Sequence, residues 1–264
     1  MKRNARRGAA RHIRVSLAMA LVGLVVSAPQ SRAEGAGDFL SGKTRHCASC
    51  DLSEKRFKGR DLSGADLAKA NLTAAVFHRA KLGRANFTGA QLVGANLNKT
   101  DLKNARLVDA KARGAMFYEA DLGLADLSGA DLSEARLGKA RLVRAKLEGA
   151  RLADAMMHEA RLDDVSARGA DFKNVNLSEA SLRRGDFRDA DFTDCGLVSA
   201  QMREGRFMGA RFVDADLFDA DLGEADLTGA DFSGARLTRV NLEGAKLDGA
   251  TFKGALMPDG SWHP

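Results

Sequence analysis

From Leu52 to Met257 every fifth residue is Leu, Phe or Met in 40 of 42 places, and only Ala112 and Ala167 break the series. No insertion or deletion interrupts it. Two residues before each of these centres, from Ala65 to Ala255, the side chain is always Ala, Val, Gly, Thr or Cys. The remaining three places of each unit are mostly Asp, Asn, Arg, Lys, Ser, Thr, Glu and Gly, as in Asp61-Leu62-Ser63-Gly64-Ala65. A helix does not bury such a pattern, because five residues advance it by about 500° and successive large side chains point about 140° apart. A straight strand fails as well, since residues five apart face opposite sides. The pattern requires a chain that bends once per unit. The small residue and the centre then both point inward, and the two residues after the centre form a corner.

Charge decides how many units close one turn. Residues stacked between successive coils are cross-strand neighbours, and opposite charges are favoured there. For the position just before each centre, a 20-residue turn sets 14 opposite-charge pairs against 3 like-charge pairs. A 15-residue turn gives 11 and 5, and a 25-residue turn gives 8 and 7, so four units per turn is the expectation. The clearest columns are Lys111/Asp131/Arg151/Asp171 and Asp186/Arg206/Asp226/Lys246.

The tandem Ala-(Asp/Asn)-Leu-x-x unit resembles the pentapeptide repeat family over about residues 50–257. That resemblance implies an all-β fold, a right-handed quadrilateral β-helix of about ten coils of 20 residues. At about 4.8 Å per coil the rod is about 50 Å long. Stacked repeats need covered ends. The expected organisation is residues 1–33 as a signal peptide, 34–49 as an N-terminal cap, 50–257 as the coil and 258–264, with Trp262, as a C-terminal tail. Lys55 and Arg60 take the small position in the first coil, which is therefore expected to be irregular.

The leader carries Lys2, Arg3, Arg6, Arg7, Arg11, Arg14 and Arg32 without an acid, followed by an apolar stretch from Val15 to Ala28. Ser31-Arg32-Ala33 offers small residues for cleavage, so export to the periplasm or beyond is the expectation. An uncleaved N-terminal anchor is the alternative. The apparent net charge of +6 comes from this segment; the rest holds 34 Lys+Arg against 35 Asp+Glu. No apolar run after the leader is long enough to span a bilayer.

Candidate chemistry is sparse. Cys47 and Cys50 form C-x-x-C in inward register, read as a cap disulfide or as buried thiols, with redox or metal roles as alternatives. Cys195 replaces a small alanine and is read as filler. The histidines are scattered, and no nucleophile–base pair or phosphate-binding glycine loop is evident. No cofactor, metal or catalytic residue is expected. Arg136, Lys139, Arg141, Arg144, Lys146 and Arg151 make a basic band, read as neutralised by neighbouring acids or as an anion site. Asp214, Asp216, Asp219, Asp221, Glu224, Asp226 and Asp231 crowd a later coil, read as a solvated acidic face or a calcium site.

One of the four faces is the least polar. With a 20-residue turn it gathers Val76, His78, Met116, Tyr118, Met156, His158, Val198 and Phe218. Exposed apolar stripes mark contact surfaces, so this is the candidate face for a protein partner or for self-association. The function expected is an exported, non-catalytic scaffold or protein-interaction surface. The alternative is a DNA mimic binding a type II topoisomerase (DNA gyrase), which is what the fluoroquinolone-resistance members of the family imply. That role calls for a strongly acidic cytoplasmic rod. The near-neutral mature charge and the leader depart from it, so no nucleic-acid partner is expected.

Overall fold

The computed structural model describes residues 32–264, and the leader 1–31 lies outside the described residues. One helix, α1 (Arg32–Ser41), precedes a four-sided right-handed β-helix. Parallel single-residue bridges join residues 20 apart, from His46–Asp66 to Arg236–Leu256. The 20-residue turn inferred from charge is therefore the turn that forms.

Each side of the coil has the same local chemistry. The centre carbonyl accepts the N–H of the residue three further on, as between Leu62 and Ala65 at 3.0 Å. The second corner residue between them is left-handed at every unit from Ser49 to Gly254, with φ between 54° and 71°. That is the geometry of a type II turn. Non-glycine side chains tolerate it here, but none of the residues at this position is β-branched, which is the class that tolerates it least. The Asp or Asn before the centre holds the corner from the other side. Asp226 Oδ1 accepts the Thr228 N–H at 3.2 Å and its hydroxyl at 2.7 Å, and Asp231 treats Ser233 in the same way. Asn side chains also bind the coil below, as Asn71 donates to Asp51 at 3.0 Å. The Asp/Asn preference thus follows from local turn geometry.

The interior is filled by the centres and the small residues, nearly all of them fully buried. Its two stretches differ. From Leu92 to Leu162 the centres are mostly Leu. From Phe172 on, one face stacks Phe172, Phe192, Phe212, Phe232 and Phe252 with ring centroids 4.8–5.3 Å apart. The adjacent face adds Phe187 over Phe207 at 5.1 Å. Volume is compensated within each cross-section. Where Phe187/Phe192 and Phe207/Phe212 share a coil, the small positions are Gly185 and Gly205, and a Cβ at either would strike the edge of Phe187 or Phe207. Conversely, the two undersized centres, Ala112 and Ala167, are each followed one unit later by a buried Phe, Phe117 and Phe172.

The ends correct three expectations. The ladder begins at His46 rather than at residue 50, because bridge formation needs only the backbone course and not the repeat motif. The first coil is regular despite Lys55 and Arg60. At the end of the rod the small position opens along the axis, so Lys55 reaches solvent and Arg60 turns to α1. The Arg60 guanidinium donates to the Leu40 carbonyl at 3.0 Å, where a cation suits the helix C-terminus. Phe39 from α1 plugs the core edge-on against Phe57 at 5.8 Å. At the other end the tail folds back, with an antiparallel bridge from Leu256 to Trp262. Trp262 itself is 71% exposed, and Leu247 stays 36% exposed at the open edge.

Candidate interaction surface

Placing the small residue and the centre inside leaves three residues per unit outside. The residues before and after the centre form two parallel columns on each face. On the least polar face one column reads Asn96, Met116, Arg136, Met156, Asn176, bridged in that order. The other reads Asn98, Tyr118, Gly138, His158, Ser178. Gly138 lacks a side chain between two rings, and the His158 ring folds over it, with Cε1 2.5 Å from where a Cβ would stand. The result is a depression of about 260 Å3 lined by Asn98, Met116, Tyr118, Arg136, Gly138, Met156 and His158. Asn98 Oδ1 accepts the Tyr118 N–H at 2.8 Å and fixes the upper rim. Met156 is 43% exposed, and Met116, Tyr118 and His158 are half-buried.

All eight residues named for this face project from it, but only Met116, Tyr118, Met156 and His158 meet. Val76 and His78 lie two coils from Met116 on one side, and Val198 lies two coils from His158 on the other. Phe218, further along, is covered by Arg236 and Arg239, with guanidinium carbons 4.5 and 5.5 Å from the ring centre. Arg136, Asn98 and Gly138 are the members that residue-type reasoning passed over. Their signal was available in the columns: a glycine between Tyr and His, and a cation between two methionines.

Three members of the basic band are paired with acids of neighbouring coils. Arg151 meets Asp131 at 2.7 Å, Arg141 meets Asp121 at 3.6 Å and Lys139 meets Glu159 at 3.2 Å. Arg136, Arg144 and Lys146 make no ion pair among the described residues, and Arg136 differs in having methionines as both column neighbours. The acidic coil is likewise distributed around the perimeter. Asp216 pairs with Arg236, Asp219 with Arg239 and Asp226 with Lys246, while Asp221 accepts from Asn241. Among the described residues no group of His, Cys, Asp or Glu is placed to hold a metal ion.

Several corner aspartates are held below the usual carboxylate range. For Asp226 the main cause is the Thr228 hydroxyl, and for Asp186 it is the Arg188 side chain. These are structural roles, repeated along the rod. Cys47 and Cys50 are joined by a disulfide beneath α1, with Cα atoms 5.2 Å apart. Cys195 is buried in the core, its thiol donating to the Val175 carbonyl at 3.0 Å, and burial pushes its pKa upward.

The comparisons with known proteins agree with this architecture. The family model for pentapeptide repeats matches residues 50–89, 90–129, 130–166, 170–209 and 215–254. Among solved structures the chain is similar to HetL, a pentapeptide repeat protein involved in heterocyst differentiation regulation from the cyanobacterium Nostoc sp. strain PCC 7120. Identity is 30% over 88% of this chain and 98% of HetL, with a TM-score of 0.43. It is also similar to QnrB1, a plasmid-mediated fluoroquinolone resistance protein, at 18% identity over 75% of this chain and 93% of QnrB1, with a TM-score of 0.49. A pentapeptide repeat protein of the Arabidopsis thaliana thylakoid lumen matches at 28% identity over 52% of this chain and 74% of its own, with a TM-score of 0.22. No curated protein matches. With the repeat model covering most of the sequence and the 20-residue coil formed throughout it, the chain belongs to the pentapeptide repeat family.

Proposed function

We propose that this protein is an exported, non-catalytic solenoid whose least polar face binds a protein partner. The observation that carries the reading is the depression that gathers Met116, Tyr118, Met156 and His158 on one face of the rod. Large apolar and aromatic side chains in a half-buried pocket are the kind of anchor point that protein interfaces use. Export rests on the leader, with its seven basic residues and the apolar segment from Val15 to Ala28. The balanced charge of the remaining chain speaks against a DNA mimic, which needs one sign of charge along its length, and the cross-coil ion pairs distribute both signs over the faces.

Two measurements test the reading. Fractionation of cells, with mass spectrometry of the N-terminus, should find a chain starting near Glu34 outside the cytoplasm. A cytoplasmic chain retaining Met1 overturns the address. A photo-crosslinking amino acid at Tyr118 should yield a discrete adduct in cells, whereas the same probe at Val108, on the opposite face, should not. Equal labelling at both positions, or none at either, overturns the surface.

A further inference from the structure

Arg136 has no acid next to it in its column, whereas several arginines at the same place in their units do. Arg141, Arg151, Arg206 and Arg236 occupy the same place in their units, and each meets an Asp one coil away. Arg136 has Met116 on one side and Met156 on the other. The nearby corner lysines are already matched, Lys99 to Glu119 at 3.3 Å and Lys139 to Glu159 at 3.2 Å. The depression therefore presents a single unmatched guanidinium, set among two thioethers, a phenol ring and an imidazole ring. A guanidinium binds a carboxylate through two parallel hydrogen bonds. Apolar neighbours lower the local dielectric and strengthen that pair relative to one in open water.

Size and surroundings narrow the occupant. The volume lies below the roughly 300–1,000 Å3 of ordinary small-molecule sites, so it suits one large side chain rather than a cofactor. An extended polyanion laid along this face would meet Glu119 and Glu159 on the corner beside the depression, and Asp216 further along the face. The charge pattern thus favours one carboxylate over a nucleic acid.

We propose that the depression over Gly138 receives a large apolar side chain of a partner protein while an adjacent carboxylate of the same segment binds Arg136. This rests on the reading of the face as a protein-binding surface and specifies what that surface selects. The shared chemistry is an apolar side chain beside a carboxylate, supplied by an internal acidic residue or by a chain end.

The full chain, labelled with 13C at its methionine methyls, tests this by titration with blocked peptides. The probes are acetyl-Gly-Leu-Glu-Gly-amide, its Gln and Lys counterparts, and acetyl-Gly-Leu with a free carboxylate. The expected result is saturable shifts at Met116 and Met156, with Met208 on another face unmoved. Replacing Glu by Gln in the peptide, or Arg136→Gln in the protein, should weaken binding by about tenfold, equivalent to about 1.4 kcal/mol. Binding of the free-acid peptide at the level of the Glu peptide assigns the carboxylate to a chain end, and binding of the Glu peptide alone assigns it to a side chain. Equal binding of the Glu and Gln peptides at Met116 and Met156 overturns the charge selection and leaves the surface standing. Preference for the Lys peptide, or no movement at either methyl with any peptide, overturns the proposal. The Tyr118 crosslink then decides separately whether the face binds protein at all.

Discussion

The stretch from Leu92 to Leu162 and the stretch from Phe172 to Phe252 share one backbone, yet they solve the interior differently. The first is packed by leucines, with one alanine centre balanced by Phe117. The second stacks rings along one face and compensates with Gly185 and Gly205. Their outer surfaces differ too. The leucine-packed coils carry the depression with the unmatched Arg136. On the phenylalanine-packed coils the large apolar residue of the same face, Phe218, is covered by two arginines. The backbone turn thus fixes the coil independently of how the interior is filled, and neither core size nor surface chemistry is tied to the repeat itself.

The largest expected effect separates the two cores. Phe192→Ala removes the middle of the ring stack and should cost about 3–5 kcal/mol. Leu152→Ala should fall toward the low end of the roughly 2–5 kcal/mol range for buried leucine. Urea unfolding measures both. Because stacked repeats lose stability locally, hydrogen exchange should place the Phe192 defect in the coils flanking it, with the coils around Leu92 still protected.

Volume compensation gives the next test. Gly185→Ala should destabilise by about 1–3 kcal/mol through overpacking against Phe187, and the Gly185→Ala/Phe187→Leu double variant should recover most of it. Ala112→Leu should behave alike, with recovery in Ala112→Leu/Phe117→Leu. Additive losses in either pair would mean that the cross-section is not filled as a unit.

Acid should act on both stretches alike, because lowered aspartates occur in each, Asp126 and Asp131 in the first and Asp186, Asp191 and Asp226 in the second. A folded-state pKa below the ordinary 3.8 means that these groups contribute stability above that value. The contribution is lost as pH falls through 3.8 toward the lower folded values. Exchange protection measured from pH 5 to about pH 2 should decline together in both stretches. The smallest effect on stability belongs to Arg136→Gln, within about 0.5 kcal/mol because the side chain is exposed and unpaired.

The coil was legible in the sequence because each unit repeats the same demand at the same spacing, so Leu52 to Met257 could be read as one register and charge could set the turn. The ends were not legible. Arg60 read as a misplaced charge in the core, because the sequence does not reveal that its position opens onto α1. The tail with Trp262 read as the piece closing the C-terminal end, but Trp262 pairs with Leu256 through its backbone and stays exposed. The face was visible as a column of residue types. The depression was not, because it depends on an absence at Gly138 and on the His158 rotamer that fills the space. The basic band read as neutralised by neighbouring acids or as an anion site, and in space Lys139, Arg141 and Arg151 meet acids of neighbouring coils while Arg136 lies between two methionines.

Every face of this rod is addressed by counting. Because five residues make one side and twenty close the turn, removing five codons from the middle of the gene would keep every large side chain inside. It would also rotate everything downstream by a quarter turn, moving His158 to the side now occupied by Lys173 and its column. Removing twenty would shorten the rod by one layer and restore every face. Length changes in relatives of this protein should therefore fall in multiples of twenty wherever a binding face spans the change, and in multiples of five elsewhere.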